Sequence, residues 1–416
     1  MSGEPSKFME TTCVIQKPQK KQKPNGNPKC LGNLPDEVLR HILSFLPTTD
    51  AVRTSVLSRR WEYLWASIPN LNFGRQPANR NLLMDFVERA LCLLDSSVIK
   101  RLSLSCDVLG DASRINTWIS TAVRWHNVQE LNVHLEKIER FVPLPYCLFN
   151  CKTLTSLHLD MMYVLKLPTT IYFSSLKILS IQRVTFLNEY LTRKLFSGLP
   201  VLEELKLRNC SWGDLKFVSI SAPKLHRLFI FENDTRNRDF GSPSDFCQVT
   251  IVGDSLKKFC YIGNLTGEYC LCKSFSLKEA YMKEAYIHTT WVSLSERREQ
   301  IALRMIKLLI GLSNVEQLTL SSYTIEGITE WFDWIWDPVP PCFLSHLKWI
   351  KVSYLKEENE EELSAVKFLL KNAVVLDEII ITITKYYEVN LEAQLKVAKQ
   401  LLALPRGSQN CKIILE

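Results

Sequence analysis

The sequence predicts an α/β protein in three parts: a small three-helix unit, a long irregular solenoid of short strands stacked into a parallel sheet, and a C-terminal cap mixing helix and strand. Two observations carry most of that expectation. Apolar residues between 38 and 46 return at helical spacing, and after residue 98 a six-residue pattern, L-x-x-L-x-L with other apolar residues allowed, begins eleven times. The length of 416 residues leaves room for two or three domains at roughly 100 to 200 residues each. A composition of 46% apolar, 23% charged and 10% aromatic residues is that of an ordinary folded soluble chain.

Residues 1–30 are rich in Lys, Pro, Gln, Ser and Asn and hold too little apolar surface to offset the entropy of ordering, so they read as a disordered basic tail. The run Lys17-Pro-Gln-Lys-Lys-Gln-Lys-Pro24 has the composition of a nuclear-import signal and equally of a solvated tail. Six lysines against two glutamates before Leu34 account for more than half of the net charge of +7, which leaves the folded part close to neutral.

Residues 31–75 form the helical unit. Asn33 can cap a first helix, Pro35 suits its first turn, and Asp36 and Glu37 put negative charge at the positive end of its dipole. Val38, Leu39, Ile42, Leu43 and Leu46 then follow at helical spacing until Pro47. Thr48, Thr49 or Asp50 can cap a second helix, and Ser58 a third bearing Trp61, Leu64 and Trp65. So short a bundle falls below the roughly 70 to 80 residues at which a lone domain is comfortably stable, and it should need something to pack on.

Residues 76–335 carry most of the repeats. The pattern opens at Ile99, Val128, Leu154, Leu176, Leu202, Leu225, Leu256, Leu277, Val315, Leu347 and Leu376, and Leu202-x-x-Leu205-x-Leu207-x-x-Cys210 fits the leucine-rich-repeat consensus to its last position. Leu277 opens the weakest unit, because Ala280 and Met282 take its later apolar places. A single strand of this kind cannot bury its own face, so stacked units make a curved solenoid. Strand side chains alternate, so the residue between the last two leucines points outward. That outward row is Ser103, Asn132, His158, Ser180, Lys206, Phe229, Cys260, Thr319, Lys351 and Ile380. We take His158, Lys206, Phe229, Thr319 and Lys351 from it as candidate target-binding residues, since a mixed row suits a protein or peptide better than a polyanion. The polar segments 232–247 and 293–300 read as loop insertions, where specificity often resides.

Residues 336–416 form the cap. Trp331, Trp334 and Trp336 lead into it as a hydrophobic seam, and a strand is expected at 347–352. A helix with acids clustered at its solvated start and Leu363, Val366 and Leu370 on one face is expected over 357–373, then a closing helix capped by Asn390 and bearing Leu391, Leu395, Ala398 and Leu402, and a last strand over 411–415.

Composition also argues against chemistry. Fourteen glycines are about half the average share, and no Walker loop, G-x-G-x-x-G, H-E-x-x-H or G-x-S-x-G is present. There is no C-x-x-C pair, and thirteen scattered cysteines point to a reducing compartment rather than to a zinc site or a disulfide scaffold. Neither a signal peptide nor an uncharged apolar run of roughly 18 residues is visible, so no membrane partner is expected and the chain should work in the nucleus, the cytoplasm or both. No basic, aromatic-laced stripe marks a direct nucleic-acid partner, and no cofactor is expected.

The run 34–73 closely resembles the F-box of plant F-box proteins: Leu34-Pro35, Ile42-Leu-Ser-Phe-Leu-Pro47, Thr54-Ser-Val-Leu-Ser58, Arg60-Trp61 and Leu64-Trp65 all match. Val339-Pro-Pro-Cys342, Leu344-Ser-His-Leu-Lys348, Phe368-Leu-Leu-Lys-Asn-Ala373 and Leu404-Pro-Arg406 with Ser408 and Cys411 are similar to the FBD domain, although Tyr354-Leu-Lys-Glu stands where a Gly-rich turn usually follows the first strand. The whole order resembles plant F-box/FBD/leucine-rich-repeat proteins. That resemblance implies a non-catalytic substrate receptor of an SCF-type ubiquitin ligase. The F-box would hold a Skp-type adaptor, and through it the cullin and RING subunits, while the repeats hold an unknown target protein. It also implies an adaptor contact on Leu34, Pro35, Leu43, Leu46, Val56, Trp61 and Leu64, some of which must instead form the bundle's own core. The alternative within the same resemblance is a receptor or co-receptor for a hormone-like small molecule on the concave face.

Overall fold

The computed structural model describes residues 34–74, 80–94, 99–137, 144–232, 247–263, 265, 267–272, 274–283, 294–321, 324, 339–355, 360–383 and 391–416. The basic tail, Asn33, the tryptophans at 331–336, Asn390 and most of the expected 232–247 insertion lie outside these residues.

The repeats form one parallel sheet of thirteen strands. In chain order the strands are β1 (Asn70–Phe73), β2 (Arg101–Asp107), β3 (Glu130–Glu136), β4 (Ser156–Val164), β5 (Ile178–Thr185), β6 (Glu204–Arg208), β7 (Phe217–Ser221), β8 (Arg227–Glu232), β9 (Gln248–Val252), β10 (Lys258–Gly263), β11 (Glu268–Cys272), β12 (Glu279–Lys283), β13 (Gln317–Ser321), β14 (Trp349–Leu355), β15 (Glu378–Ile383) and β16 (Lys412–Leu415). Every one of the eleven repeat openings lies two residues before a strand of the large sheet, and all eleven side chains are buried. Even the weakest unit keeps its place: Ala280 and Met282 are buried in β12, which pairs in register with β10 and β13. The large sheet runs β1 to β6 in order, then β8, β10, β12 and on to β16.

The three strands it skips form a second parallel sheet, β11-β9-β7. Sequence reasoning did not foresee it. Elsewhere the layer behind the large sheet is helical, with α3 (Arg80–Leu93), α4 (Ala112–Trp125), α5 (Glu189–Ser197) and α6 (Leu294–Gly311). Helix α5 packs on β7 and α6 on β11, so the small sheet replaces helices in three successive coils. Between the two sheets Tyr261 and Tyr269 are fully buried, and their hydroxyls both donate to the Glu232 carboxylate, that of Tyr261 at 2.6 Å. Burial and the neighbouring Glu232 charge push both phenols well above their usual pKa, so they remain donors. Gly263 is required beside this knot, because a Cβ there would meet the Glu232 Cβ at 2.6 Å.

The cap adds α7 (Pro341–Ser345), α8 (Glu360–Asn372) and α9 (Leu391–Leu402) to β14, β15 and β16. Three expectations need correction. Residues 294–300 belong to α6 and not to a loop, because the segment opens an eighteen-residue helix packed on β11. In α9 the buried face is Val397 and Leu401, while Leu395 and Leu402 are exposed, since the turn that meets β16 is rotated from the longer leucine series. Within the acid run, Glu362 is buried rather than solvated.

The N-terminal unit contains α1 (Asp36–Leu43) and α2 (Thr48–Arg53). No side chain caps either helix; Pro35 and Pro47 occupy the capping positions, and Thr48 already belongs to α2. The expected third α-helix is instead a chain of turns ending in a 3₁₀ segment, Leu64–Ser67, whose bonds run from Trp61 to Ser58, Ala66 to Tyr63 and Ile68 to Trp65. A stretch this short gains little from i→i+4 bonding, and packing of its tryptophans decides its shape. The unit continues directly into the sheet. Ile68, Leu71 and Phe73 repeat the leucine pattern once more and are buried, and the backbone N–H of Asn72 in β1 donates to the buried Thr48 Oγ1 at 2.7 Å.

Candidate functional site

Two surfaces stand out among the described residues once the core is assigned. The first is on the helical unit. Reading α1 and the turn after it at 100° per residue, the apolar residues from Val38 to Leu46 cover an arc of roughly 160°. Only Leu39 and Leu43 of that arc are buried, whereas Val38, Ile42, Phe45 and Leu46 face solvent. Val56, at 88% exposed, with Leu57 and Tyr63 extends the bare surface. Arg60 ties the entry of the chain to the third segment: its guanidinium donates to the Leu34 carbonyl and pairs with Asp36, both at 2.5 Å.

The structure divides the seven residues that the resemblance marked for an adaptor. Pro35, Leu46 and Val56 are exposed and Leu34 is half-buried, while Leu43, Trp61 and Leu64 sit in the core and shape the surface from beneath. Val38, Ile42, Phe45 and Leu57 were missed as surface candidates. Their signal was the width of the apolar arc, broader than one buried contact needs.

The second surface is the open face of the large sheet. Parallel sheets usually have both faces covered. Here alternate residues point away from the core along all of β2 to β15, and they carry charge and aromatic rings. Arg101 pairs with Glu130 at 2.6 Å, Arg227 with Glu204 at 2.6 Å and Lys258 with Glu279 at 2.8 Å, each across neighbouring strands. Near the strand ends of β3 and β4, His134 lies 2.7 Å from Asp160, and Arg183 reaches the same carboxylate at 2.5 Å. Arg183 adopts φ 58°, the left-handed region, at a bulge between β4 and β5.

All five candidate target-binding residues lie on this open face, half-buried, in two groups. His158, Lys206 and Phe229 stand on β4, β6 and β8, with Ser180 completing the row, and Thr319 pairs with Lys351 across β13 and β14. Burial first, and Lys206 second, hold His158 below the usual imidazole pKa, so it is neutral near pH 7. Burial pushes Glu204 up, but Lys206 and Arg227 more than offset it and leave the carboxylate below its usual range. Lys351 is engaged with Glu416 at 2.8 Å. Arg208 and Phe231, one step along the same strands, complete the surface and were not singled out from the sequence. Only the first outward residue of each unit was read there.

Cys260, in the same row, is buried and its thiol is pushed up to about 11, so it offers no nucleophile. Among the described residues no group of three His, Cys, Asp or Glu side chains is arranged for a metal, and no helix is long and apolar enough to cross a membrane.

Comparison with known proteins meets the same division. Residues 31–73 match the F-box domain family, residues 115–242 the family described as FBD-associated F-box protein At5g56370, LRR repeats, and residues 336–381 the FBD family. In Arabidopsis thaliana, F-box/FBD/LRR-repeat protein At5g56420 is 27% identical over 93% of this chain and 98% of its own length. F-box/LRR-repeat protein At4g14103 is 31% identical over 73% of this chain and 81% of its own, and F-box/LRR-repeat protein At4g14096 is 32% identical over 84% and 72%.

Proposed function

This chain belongs to the F-box/LRR-repeat proteins, and from that membership we propose that it is the target-binding subunit of an SCF-type cullin–RING ubiquitin ligase. The observation that carries the reading is the set of bare apolar side chains that the short F-box presents, Val38, Ile42, Phe45, Val56 and Leu57, over its buried Leu39, Leu43, Trp61 and Leu64. Contiguous exposed apolar side chains mark a protein interface, and an F-box in general takes a Skp-type adaptor. The adaptor would cover Val38, Ile42, Phe45, Val56 and Leu57, joined by Leu34, Pro35 and Leu46 from the set that the resemblance implied. Leu43, Trp61 and Leu64 would support that surface from the core.

The open sheet face would hold the target protein. Its contribution to transfer is proximity: a target lysine held near a conjugating enzyme reacts as if at high effective concentration. The direct passage of the F-box into β1 supports this role, because the Thr48–Asn72 bond fixes the adaptor surface to the sheet. It would work in the nucleus, the cytoplasm or both, where its thirteen scattered cysteines would stay reduced.

The test is co-expression of the full chain with a Skp-type adaptor and size-exclusion chromatography. We expect a stable complex that is lost when Leu34→Ala is combined with Pro35→Ala. Undiminished binding by that double variant overturns the assignment.

A further inference from the structure

We infer that the strip of open sheet spanning β6, β8, β10 and β12 binds an extended peptide in which an acidic side chain sits beside an apolar or aromatic one. This rests on the target-receptor reading above and names the class of target.

The strip differs from the rest of the open face. The outward row of β2, β3 and β5 is Ser103, Asn132 and Ser180, and Asn132 donates to Ser103 at 3.1 Å. On β8 the corresponding positions are Phe229 and Phe231, two rings stacked at 4° with centroids 6.5 Å apart. Both are only half-buried, and Ile262 and Tyr281 continue the apolar floor on the next two strands. Over each ring lies a cation from β6: Lys206 Nζ is 5.4 Å from the Phe229 centroid, and the Arg208 guanidinium is 4.5 Å from that of Phe231.

The two cations are not equivalent. Lys206 is already neutralised by Glu204, whereas Arg208 is exposed and forms no ion pair among the described residues. Its guanidinium lies over the Phe231 ring, 4.5 Å from the centroid, and its N–H donors are available for a carboxylate, which an arginine can take bidentately. The next apolar floor residue in register, Ile262, lies two strands from Arg208, about 9.6 Å at ordinary strand spacing, a distance that roughly three residues of extended peptide cover. An acid at one end of that span and an apolar side chain at the other would satisfy both.

A nucleic acid fits less well. Polyanion binding draws on many uncompensated cations, and here Glu204 pairs with Lys206 and Arg227 and Glu279 with Lys258.

The experiment uses the full chain, co-expressed with a Skp-type adaptor and purified by a tag on the chain itself, and a random dodecapeptide library displayed on phage. We expect enriched sequences that place Asp or Glu within three residues of Trp, Phe or Leu. The most enriched peptide, made with a fluorophore, should bind about tenfold more weakly to Arg208→Glu and to Phe231→Ala. Lys152→Glu, at an exposed site away from the strip, should match wild type, and unchanged melting curves for all variants establish that they fold. Enrichment without an acidic preference overturns the inference, as does undiminished binding by folded Arg208→Glu, or binding of a fluorescent deca-uridylate that is lost in the same variant. Adaptor co-purification, scored on the same samples, reports on the receptor reading separately: a wild-type chain that selects acidic peptides but carries no adaptor overturns that reading and not the strip.

Discussion

In the repeat sheet every residue that opens an L-x-x-L-x-L unit is at most 2% exposed, whereas in the F-box Val56 stays 88% exposed, Phe45 75% and Leu57 64%. Both regions are built from short apolar elements that cannot close a core alone. Each repeat finds its partner in the next coil, so its leucines disappear from the surface. Among the described residues the F-box meets the sheet through α2 and β1, where Thr48 is bonded to Asn72. What it leaves bare is an apolar surface, the one that we propose an adaptor covers.

Substitutions can separate the two kinds of apolar residue. The largest loss is expected for Leu205→Ala in β6, where a fully buried repeat leucine should cost about 2–5 kcal/mol in denaturant unfolding. Thr48→Val, at the joint between the regions, leaves the Asn72 N–H without its acceptor and should cost about 1–3 kcal/mol. If that variant also uncouples the regions, the two will melt in separate transitions, a result that calorimetry reads directly. A smaller effect is expected from His158. Its pKa is depressed in the folded sheet, so the unfolded chain takes up the proton at higher pH than the native one does. Stability should therefore fall as the pH drops below about 6.5, and His158→Gln should show a shallower slope over that range. An unchanged slope would contradict the burial that we assign to that site.

Much of the repeat architecture was legible because its signal is periodic and redundant: eleven openings foretold eleven strands to the residue. The small sheet was not. Val218 with Ile220, Val249 with Ile251 and Tyr269 with Leu271 alternate over only five residues each, too short a run to distinguish from a loop. Strand β1 carried the full pattern at Ile68, Leu71 and Phe73, but its place inside the F-box match hid it. The F-box surface was half legible. Sequence identified an apolar stripe on α1, yet burial against Trp61 and Leu64 decides which of its residues face inward, and that depends on how the third segment folds.

The most direct test of the account is Val56→Asp, measured twice on one preparation. Because the side chain touches almost nothing in the free chain, unfolding free energy should stay within about 0.5 kcal/mol of wild type, while binding to a Skp-type adaptor is abolished. A variant that melts well below wild type, or one that binds the adaptor undiminished, would contradict the claim that the F-box keeps this surface for a partner.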